Sequence, residues 1–491
     1  MLFIGHDLGT GGNKTVLVDL DGTVLRTAVH RYPLDHPHHG WAEQDPATWW
    51  EAVGAGTREV VRDIEPSRIR ALGFAGQMLA LVPMDDTGRP TRPAISWMDH
   101  RATQQARRLR RRLGGRRVLD RIAGGTPTAK DILPKVAWVA AHEPEVHRST
   151  QAYGDATTYL VAQVTGRVAM DPTAAGATGV LDHKTRDWSR WMARLVGLPL
   201  GKMPPVLACT DVAGTVKPES AEMLGVPAGI PVAMGMADVP AAAVGSGAVG
   251  TGQGHIYLGT SSWLGVTVPK PQFVPRHGIA SVPHPSHDAS LMIAESETAG
   301  ACRDWFGAQL GPGEDLDALA ADAPPGSDGV LFCPWMFGER SPVADPDLRG
   351  AFLNLGLRHG RHHLARAVLE GVALNLAWIV DAAGHHLDDG PLRVIGGGAT
   401  SDLWLQILAD ATGRAVQRVA NPRFAGATGA ALLAAVAVGA LPDVRSIATR
   451  VRIEQTIEPD PRHETTYAAL GEALRAAAPT LSRVGRILGR A

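Results

Sequence analysis

A glycine-rich loop near the N-terminus carries residues whose types and spacing suit phosphate chemistry. Its sequence is GHDLGTGGN, with Asp7 before the glycines and Lys14 directly after the loop. Because glycine has no side chain, the backbone N–H groups of such a turn can approach an anion closely. The candidate phosphate contacts at its tip are Gly9, Thr10, Gly11 and Gly12.

Asp7 and Lys14 are the charged residues at this tip. A carboxylate beside phosphates needs a cation between them, so we expect Asp7 to act through Mg²⁺, with water molecules retained in the metal's shell. Lys14 either adds a positive charge to the site or faces solvent at the start of the returning strand. The loop therefore predicts a polyphosphate site that uses a divalent cation.

A second segment, HIYLGTSSW, repeats this arrangement about half a chain later. DLGTGG has become YLGTSS, and each tip lies between two short β-type runs. Chance repetition of so short a motif is the alternative, but the shared flanking strands favour two similarly built halves. Two such tips facing each other across a cleft can bind a polyphosphate from both sides. The candidate contacts of the second tip are Gly259, Thr260 and Ser261.

Asp238 follows an apolar run and lies in a segment of small residues, ADVPAAAVGSGAVGTG. A carboxylate there can accept the proton of a substrate hydroxyl that attacks a γ-phosphoryl group. The alternative is a helix N-cap, which the residue type taken alone favours. Both interpretations stay open on these residues.

Two further loops, each after an apparent strand, carry polar residues next to aromatic ones. Polar groups beside an aromatic face suit a sugar or polyol, whose hydroxyls need partners and whose C–H surface needs an apolar wall. The alternative is an ion pair beside a core tryptophan, and the two interpretations do not exclude each other. The candidate sugar contacts are Gln77, Met78, Trp97, Asp99 and Arg101.

A triple glycine, Gly396 to Gly398, comes between a predicted strand and a predicted helix. That is where open α/β sheets bind ligands. The segment has neither the G-x-G-x-x-G spacing of a dinucleotide site nor the G-x-x-x-x-G-K-[ST] spacing of a P-loop. It is therefore a candidate ligand loop of another kind.

The elements that must position these residues alternate between strands and helices, which predicts an α/β protein. Strands are predicted at 2–4, 14–19, 24–27, 232–236, 255–258, 263–268 and 392–395, and helices at 364–383, at 404–412 and from Asp45-Pro46 onward. The repeat and the small-residue segment after Asp238 predict a domain boundary between residues 236 and 252.

Composition excludes several function classes. The 491 residues carry 48 Lys plus Arg against 49 Asp plus Glu, a net charge of −1, which argues against a nucleic-acid or anionic-membrane partner. The arginine-rich segment 107–117 has no interleaved aromatic residues, so we interpret it as a solvated helix face. Three cysteines without a C-x-x-C pair predict neither disulfides nor a zinc ribbon.

Two apolar stretches bear on localisation. The N-terminal run is too short for a signal peptide, and the run 430–441 is too short to cross a bilayer, so we interpret it as a buried helix. Together with the absence of a predicted disulfide, these two interpretations predict a cytoplasmic protein. A homodimer is compatible with the sequence, which contains no further indication of oligomeric state.

Taken in order over about residues 2 to 440, the motifs resemble those of the FGGY carbohydrate kinases, and within that family those of its xylulokinase branch. The motifs are DLGTGGNK, GWAEQDPATWW, GQM with WMDHRA, GMADVPAAAVGSG, LGTSS, GERSPVADPDLRGAFLNL, RAVLEGVALN, GGGATSDLWLQILAD and AGATGAALLA. Each is weak alone, and the ordered set is specific.

The resemblance implies a two-domain actin/hexokinase-like (ribonuclease H-like) fold with ATP and sugar meeting in the cleft between the domains. It implies an N-terminal domain at 1–244, with the sugar side and the first phosphate loop, and a C-terminal domain at 245–491. Position by position, it makes Asp7 the Mg²⁺-associated residue and Asp238 the catalytic base, which overrides the N-cap interpretation. It also implies a first phosphate loop at Gly9, Thr10 and Gly11, a second at Gly259, Thr260 and Ser261, and an adenosine motif at Gly397, Gly398 and Ala399.

The implied activity is transfer of the γ-phosphoryl group of ATP to a sugar hydroxyl, with D-xylulose as the first candidate. Two departures concern the substrate: Leu79 and Val239 stand where the xylulokinase branch typically has His and Asn. Both missing groups would bond sugar hydroxyls, so discrimination between polyols is expected to differ. The alternatives are a kinase for ribulose, a tetritol or a deoxysugar, and a nucleotide-dependent switch protein, against which the presence of Asp238 argues.

Overall fold

The computed structural model describes residues 1–114 and 127–489. Arg116 and Arg117 of the predicted arginine-rich face lie outside these ranges. The described strands are β1 Leu2–Gly9, β2 Gly12–Asp19, β3 Val24–Arg31, β4 Glu43–Gln44, β5 Ile69–Gly76, β6 Val82–Met84, β7 Ala94–Ile95, β8 Ala152–Gly154, β9 Leu181–Asp182, β10 Asp187–Trp188, β11 Val212–Thr215, β12 Pro231–Ala233, β13 Met236–Ala237, β14 Gly254–Leu258, β15 Ser262–Val268, β16 Ala280–Pro283, β17 Ser290–Ser296, β18 Leu331–Cys333, β19 Ala351–Leu353, β20 Leu392–Ile395, β21 Val416–Val419 and β22 Ile453–Ile457.

The described α-helices are α1 Pro46–Val61, α2 Thr103–Arg112, α3 Ile132–His142, α4 Pro144–Ser149, α5 Ala156–Thr165, α6 Pro172–Gly176, α7 Arg190–Val196, α8 Pro218–Leu224, α9 Asp238–Ser246, α10 Gly300–Gln309, α11 Leu316–Ala321, α12 Arg361–Ala383, α13 Asp402–Thr412, α14 Ala425–Ala437 and α15 Glu464–Leu488. The predicted helices at 364–383 and 404–412 are confirmed by α12 and α13. The predicted start at Asp45-Pro46 is confirmed by α1, whose first turn Asp45 caps through the N–H of Ala47.

Two seven-stranded sheets organise the chain. The first has the order β11-β12-β5-β1-β2-β3, with β13 beside β5, and the second has the order β16-β17-β15-β14-β20-β21-β22. In each sheet an antiparallel hairpin, β1–β2 or β14–β15, lies beside a parallel strand, β5 or β20. The predicted α/β class and the two similarly built halves are therefore confirmed.

Each sheet has its own apolar core. One cluster draws its buried residues from positions 2 to 234, and another draws them from positions 256 to 478. The predicted boundary between positions 244 and 245 falls inside α9, which follows the first cluster directly. The exact division into 1–244 and 245–491 stays a prediction.

Helix α14 joins the two halves because it packs on the sheet of the first half. Its residues share a buried cluster with Phe3 and Ala71 of β1 and β5. The close approach depends on missing side chains: a Cβ at Gly5 would lie 2.0 Å from the carbonyl oxygen of Ala427. A chain segment from the second half thus lies directly behind the strand that leads into the first glycine-rich tip.

Two predicted elements have different bounds in the structure. The predicted strand 232–236 is split into β12 and β13 at Gly235, whose φ of +83° is a left-handed conformation that breaks an extended strand. The predicted buried helix at 430–441 begins earlier and ends earlier, as α14. The chain turns at Gly439, where φ is +71°.

Among the described residues, one helix is long and apolar enough to cross a membrane by length and composition. It is the segment 361–386, which contains α12, and 78% of its most apolar window is buried inside the protein. Contacts with α13, α11 and β18 surround it. Its hydrophobicity is accounted for by its place in the core of the second half.

Candidate active site

The two glycine-rich tips are built on antiparallel hairpins whose registers differ by one residue. In the first, Gly9 pairs with Gly12 and leaves Thr10 and Gly11 at the turn. In the second, Leu258 pairs with Ser262 and leaves the Gly259–Ser261 tip at the turn. The predicted repeat of a strand, a glycine-rich tip and a returning strand is confirmed.

Asp7 and Lys14 face each other across the first hairpin. They are cross-strand partners, and Nζ of Lys14 lies 3.1 Å from Oδ2 of Asp7. The Asp7 carboxylate raises the pKa of Lys14 above its ordinary value, so the lysine is charged throughout the neutral range. Lys14 is thus paired with Asp7 in this hairpin, and its contribution of positive charge to a phosphate site stays a prediction.

The first tip is held from below by three side chains. Gln44 donates from Nε2 to the carbonyl oxygen of Thr10 at 2.8 Å, and the Tyr32 hydroxyl donates to the carbonyl oxygen of Gly9. Nε1 of Trp97 donates to Oγ1 of Thr10 at 2.8 Å. These bonds use the oxygens of the tip and leave its outer surface to a ligand.

The outer surface of the first tip is open. A Cβ built on Gly11 meets nothing within 4 Å, and one on Gly9 meets only the Gly12 carbonyl, at 3.7 Å. Gly12 differs, because its Cβ would lie 2.8 Å from the His30 carbonyl of the neighbouring strand. Gly11 therefore borders open space, whereas Gly12 must be glycine because a side chain there would clash with the neighbouring strand.

The second tip is braced by the start of α10. The N–H groups of Ala299 and Gly300 donate to the carbonyl oxygens of Thr260 and Gly259 at 2.9 and 2.8 Å. A Cβ on Gly300 would lie 2.6 Å from the Gly259 carbonyl, so only glycine allows this contact. With its carbonyls turned toward α10, the tip presents the exposed side chain of Thr260 on its other side.

The triple-glycine loop leads from β20 into α13. Gly396 has a φ of +96°, and Ser401 caps α13 by accepting from the N–H of Trp404 at 3.0 Å. A Cβ on Gly397 meets nothing within 4 Å, whereas one on Gly398 would lie 2.5 Å from Cγ of Leu258. Ala399 is fully buried, so of the three predicted adenosine-motif residues it exposes no atom to a ligand in this structure.

Asp238 is the first residue of α9, and Ala237 holds the N-cap position. The N-cap interpretation of Asp238 is therefore wrong in the structure. Its Oδ1 accepts from the N–H groups of Met78 at 3.2 Å and of Val239 at 2.9 Å. These two bonds fix one oxygen and leave Oδ2 for another partner.

The surroundings of Asp238 suit a proton acceptor. Burial, together with the nearby Asp7 carboxylate, raises the pKa of Asp238 to about 7, while the two backbone N–H groups and Lys14 oppose the shift. A general base is most effective when its pKa lies near the working pH. Asp238 can therefore take a proton from a substrate hydroxyl at neutral pH.

Gln77 and Met78 lie at the end of β5, beside Asp238. The Gln77 side chain is buried and donates from Nε2 to Oε1 of Gln44 at 2.8 Å, so it links β5 to the support of the first tip. Met78 packs with Val239 and Trp263. The wall next to Asp238 is therefore apolar.

Asp99 and Arg101 form a fully buried ion pair, with Nη2 of Arg101 2.8 Å from Oδ2 of Asp99. Asp99 also accepts from the N–H of Ala42 at 2.7 Å, and the guanidinium lies 3.7 Å from the ring centroid of Trp41. The alternative interpretation, an ion pair beside a core tryptophan, describes this geometry. Neither charged group faces open space, so the pair supports the loop that carries Trp97.

Lys135 is a residue of this region that the sequence analysis did not identify. Its side chain is fully buried in α3, burial lowers its pKa to about 7, and Nζ donates to the carbonyl oxygen of Leu79 at 2.6 Å. Leu79 itself has a left-handed φ of +63°. The feature of the sequence that could have identified it is a lysine inside the apolar stretch ILPKVAWV.

Tyr257 and Trp263 were also missed. They are cross-strand partners in the second hairpin, and their rings stack with centroids 3.9 Å apart and planes 10° apart. Aligning DLGTGG with YLGTSS places Tyr257 opposite Asp7, which was a signal in the sequence. In the same alignment Trp263 falls on Asn13, so the cross-strand partner of Tyr257 comes one position earlier in the returning strand than Lys14, the partner of Asp7.

The oxygen donors at the site suit Mg²⁺ held mainly by a ligand. Asp7 and Asp238 supply carboxylates, and among residues 1–114 and 127–489 no cluster of three or more His, Cys, Asp or Glu side chains could hold a metal. Mg²⁺ commonly takes one or two carboxylates and completes its shell with water and phosphate oxygens. A Cβ at Gly11 or at Gly397 would meet no atom within 4 Å, so each of these two glycines borders open space.

Family models match nearly the whole chain. The model of the FGGY family of carbohydrate kinases, N-terminal domain, matches residues 2–245, and the C-terminal domain model of the same family matches residues 254–438.

Individual relatives extend this similarity. The chain is similar to xylulose kinase of Escherichia coli (strain K12), with 33% identity over 483 residues that cover 96% of this chain and 98% of that protein. It is also similar to gluconokinase of Bacillus subtilis (strain 168), with 29% identity over 429 residues that cover 83% and 82%. The solved structure of xylulose kinase from Rhodospirillum rubrum is similar, with a TM-score of 0.88, 30% identity, and coverage of 99% of this chain and 100% of that one. The predicted two-domain actin/hexokinase-like fold is confirmed by this match.

Proposed function

The chain belongs to the FGGY family of carbohydrate kinases, and from that premise we propose that it phosphorylates a ketopentose, with D-xylulose as the first candidate. At the coarser level, it is an ATP-dependent sugar kinase, a phosphotransferase that acts on a sugar hydroxyl. The observation that carries the proposal is Asp238, a carboxylate with a pKa near 7 held between the two hairpins by two backbone N–H groups.

In the proposed reaction, Asp238 accepts the proton of the attacking sugar hydroxyl. The hydroxyl oxygen forms a bond to the γ-phosphorus, the bond from that phosphorus to the β,γ-bridging oxygen breaks, and ADP leaves. The N–H groups of the two tips orient the phosphates, with Thr10 and Thr260 at their centres. Lys14 adds positive charge, and Gly397 borders the space proposed for adenosine.

Mg²⁺ bound near Asp7, through water, would neutralise phosphate charge. Asp7 is buried against Gly426 at the start of α14, where a Cβ would lie 2.9 Å from Oδ2 of Asp7. The carboxylate is therefore packed against the start of α14, and Asp7 would hold the metal from this position.

The sugar side is proposed next to Asp238, at Gln77, Met78 and Trp97. Leu79 and Val239 make this region less polar than a site with His and Asn at the same positions, and Val239 packs against Met78. The relatives at 33% and 30% identity are xylulose kinases, which supports D-xylulose. The apolar wall makes a less hydroxylated or differently configured substrate the main competitor.

The test is ADP release in a coupled assay with Mg²⁺ over a panel of D-xylulose, ribulose, tetritols, gluconate and glycerol. D-Xylulose is expected to give the highest kcat/KM. A stronger response to ribulose would keep the ketopentose proposal and replace D-xylulose, whereas a stronger response to a tetritol, gluconate or glycerol would overturn the ketopentose proposal and retain the carbohydrate kinase. Cytoplasmic localisation and a homodimer stay predictions beside it.

The base is tested with Asp238→Asn, which keeps the shape of the side chain and removes its basicity. We expect kcat to fall by about 10³-fold, within the usual range for general-base catalysis, while nucleotide affinity is retained. The matched control is Asp317→Asn, which also removes an acid from the first turn of a helix but lies in α11. Unchanged turnover in Asp238→Asn would remove the base from the proposal.

A further inference from the structure

Tyr257 occupies in the second hairpin the position that Asp7 occupies in the first. Asp7 and Lys14 form the cross-strand pair next to that of Leu8 and Asn13. Tyr257 and Trp263 form the pair next to that of Leu258 and Ser262. The repeat therefore places a phenol where the first half has the carboxylate proposed to act on phosphate.

The ring of Tyr257 lies over the second phosphate tip. A Cβ built on Gly259 would be 2.3 Å from Cε1 of the ring and 2.6 Å from its hydroxyl oxygen. The parallel stack on Trp263, at 3.9 Å, fixes the ring plane. The hydroxyl is thus held directly beside the tip.

Three elements of the candidate site surround this ring. It packs with Ala242 of α9, with Ile395 at the end of β20, and with Ala425 at the start of α14. Helix α9 begins with Asp238, β20 leads into the triple-glycine loop, and α14 backs the Asp7 carboxylate. Tyr257 therefore lies where the base, the metal-associated residue and the nucleotide loop come together.

The Tyr257 hydroxyl is free to donate. No hydrogen bond joins it to any residue within 1–114 or 127–489, and the ring is half-buried. The charged groups that face it are Lys14, Asp7 and Asp238, and burial raises the pKa of the phenol, so it keeps its proton at neutral pH. If the ring served packing alone, phenylalanine would suit this apolar contact at least as well.

We propose that Tyr257 is a further catalytic residue, whose hydroxyl donates a hydrogen bond to an oxygen of the γ-phosphoryl group of ATP. Trp263 is the positioning residue that holds the ring. The inference rests on the proposed function and adds to it a specific contact from the second half. The Tyr257 hydroxyl and Lys14 would both face the γ-phosphoryl group during its transfer. The hydroxyl would stabilise negative charge on phosphate oxygens that the N–H groups of the two tips alone do not reach.

The decisive variant is Tyr257→Phe, because it keeps the ring and the stack and removes only the hydroxyl. The probes are a non-hydrolysable ATP analogue with an imido bridge and ADP, each titrated with Mg²⁺ by calorimetry. Only the analogue has a γ-phosphate, so in Tyr257→Phe the affinity for the analogue is expected to fall while the affinity for ADP stays unchanged. The expected loss is about tenfold, which corresponds to one hydrogen bond to a charged acceptor. The thermal midpoint is expected to stay at the wild-type value.

Two further variants make the result specific. Tyr159→Phe removes a tyrosine hydroxyl from α5, in the core of the first half, and is expected to change neither affinity. Trp263→Leu keeps the phenol but removes the stack, and is expected to reduce analogue affinity by less than Tyr257→Phe. Equal losses for ADP and the analogue in Tyr257→Phe, or no loss for either, would overturn the contact.

The ratio of the affinity for the ATP analogue to the affinity for ADP, called the binding ratio below, is measured without any sugar. It therefore tests this inference separately from the proposed function. A wild-type protein that binds the analogue but phosphorylates no sugar would contradict the proposed substrate class and leave the Tyr257 result to be judged on the ratio alone. A wild-type kinase with an unchanged ratio in Tyr257→Phe would retain the function and remove Tyr257.

Discussion

The two hairpins that carry the glycine-rich tips share a strand, tip and returning strand, but they differ in turn length and in chemistry. In the β1–β2 hairpin, the cross-strand pair that follows Leu8 and Asn13 away from the tip is an ion pair, Asp7 and Lys14 at 3.1 Å. In the β14–β15 hairpin, the corresponding pair is two stacked aromatic rings, Tyr257 and Trp263 at 3.9 Å. The residues that hold each tip to its sheet are alike, because Leu8 and Leu258 are both fully buried.

The difference shows that the scaffold and the chemistry are specified by separate residues. The leucines and the tip glycines set the turn, and the cross-strand pair next to them sets what the turn can do. The ion pair supplies charge of both signs near phosphates, although a partly exposed pair of this kind adds little to stability. The aromatic pair supplies a rigid surface and one hydroxyl.

Within the two hairpins, the largest expected effect comes from breaking the charged pair. Asp7→Asn removes the carboxylate proposed to act on Mg²⁺ while leaving the side-chain shape, and kcat is expected to fall by about 10²–10³-fold, as for loss of one preorganised electrostatic group. Steady-state kinetics against Mg²⁺ concentration would measure it, with an increased Mg²⁺ requirement expected.

Trp263→Leu is the matched change in the aromatic pair, and its loss of kcat is expected to be smaller than that of Asp7→Asn. If it reduced kcat by as much as Asp7→Asn, the two hairpins would share one task and the contrast between them would be lost. Wild-type kcat and Mg²⁺ dependence in Asp7→Asn would instead remove the carboxylate from the chemistry.

This contrast also shows where sequence analysis reached its limit. The tips and the long helices could be predicted, because glycine spacing and helical periodicity are local in the chain. The role proposed for Asp238 came from the family resemblance, since the residue type alone favoured an N-cap. The buried state of Asp99 and Arg101 could not, since it depends on Trp41 and Ala42 from a distant segment. The bond from Lys135 to Leu79 likewise joins two elements whose contact no local pattern reveals.

The second expected effect concerns the stability of the two tips. Gly11→Ala places a methyl group in open space and is expected to leave the thermal midpoint unchanged. Gly259→Ala places it 2.3 Å from the Tyr257 ring, and the overpacking is expected to lower the free energy of unfolding by about 1–3 kcal/mol. Chemical denaturation of the two variants, beside wild type, measures the difference.

The cause of that loss is tested with Tyr257→Ala, which removes the ring. In the double variant, Gly259→Ala is expected to cost less than it does alone, so that the two changes are not additive. An equal cost with and without the ring would place the strain in the backbone of the tip and not in the aromatic pair.

The smallest expected effect is a shift of the pH profile in opposite directions by the two members of the charged pair. Burial and then the Asp7 charge raise the pKa of Asp238 to about 7, and Lys14 lowers it. Since the base must be deprotonated, wild-type kcat is expected to rise about tenfold per pH unit below that pKa and to level off above it.

Asp7→Asn removes a negative charge, so the acid limb of its profile moves to lower pH. Lys14→Met removes a positive charge, so the acid limb of its profile moves to higher pH. Profiles of kcat between pH 5 and 9, each normalised to its own plateau, separate these shifts from the overall loss of rate. Shifts of the same sign in both variants would show that the charged pair does not act on Asp238 through its electrostatic field.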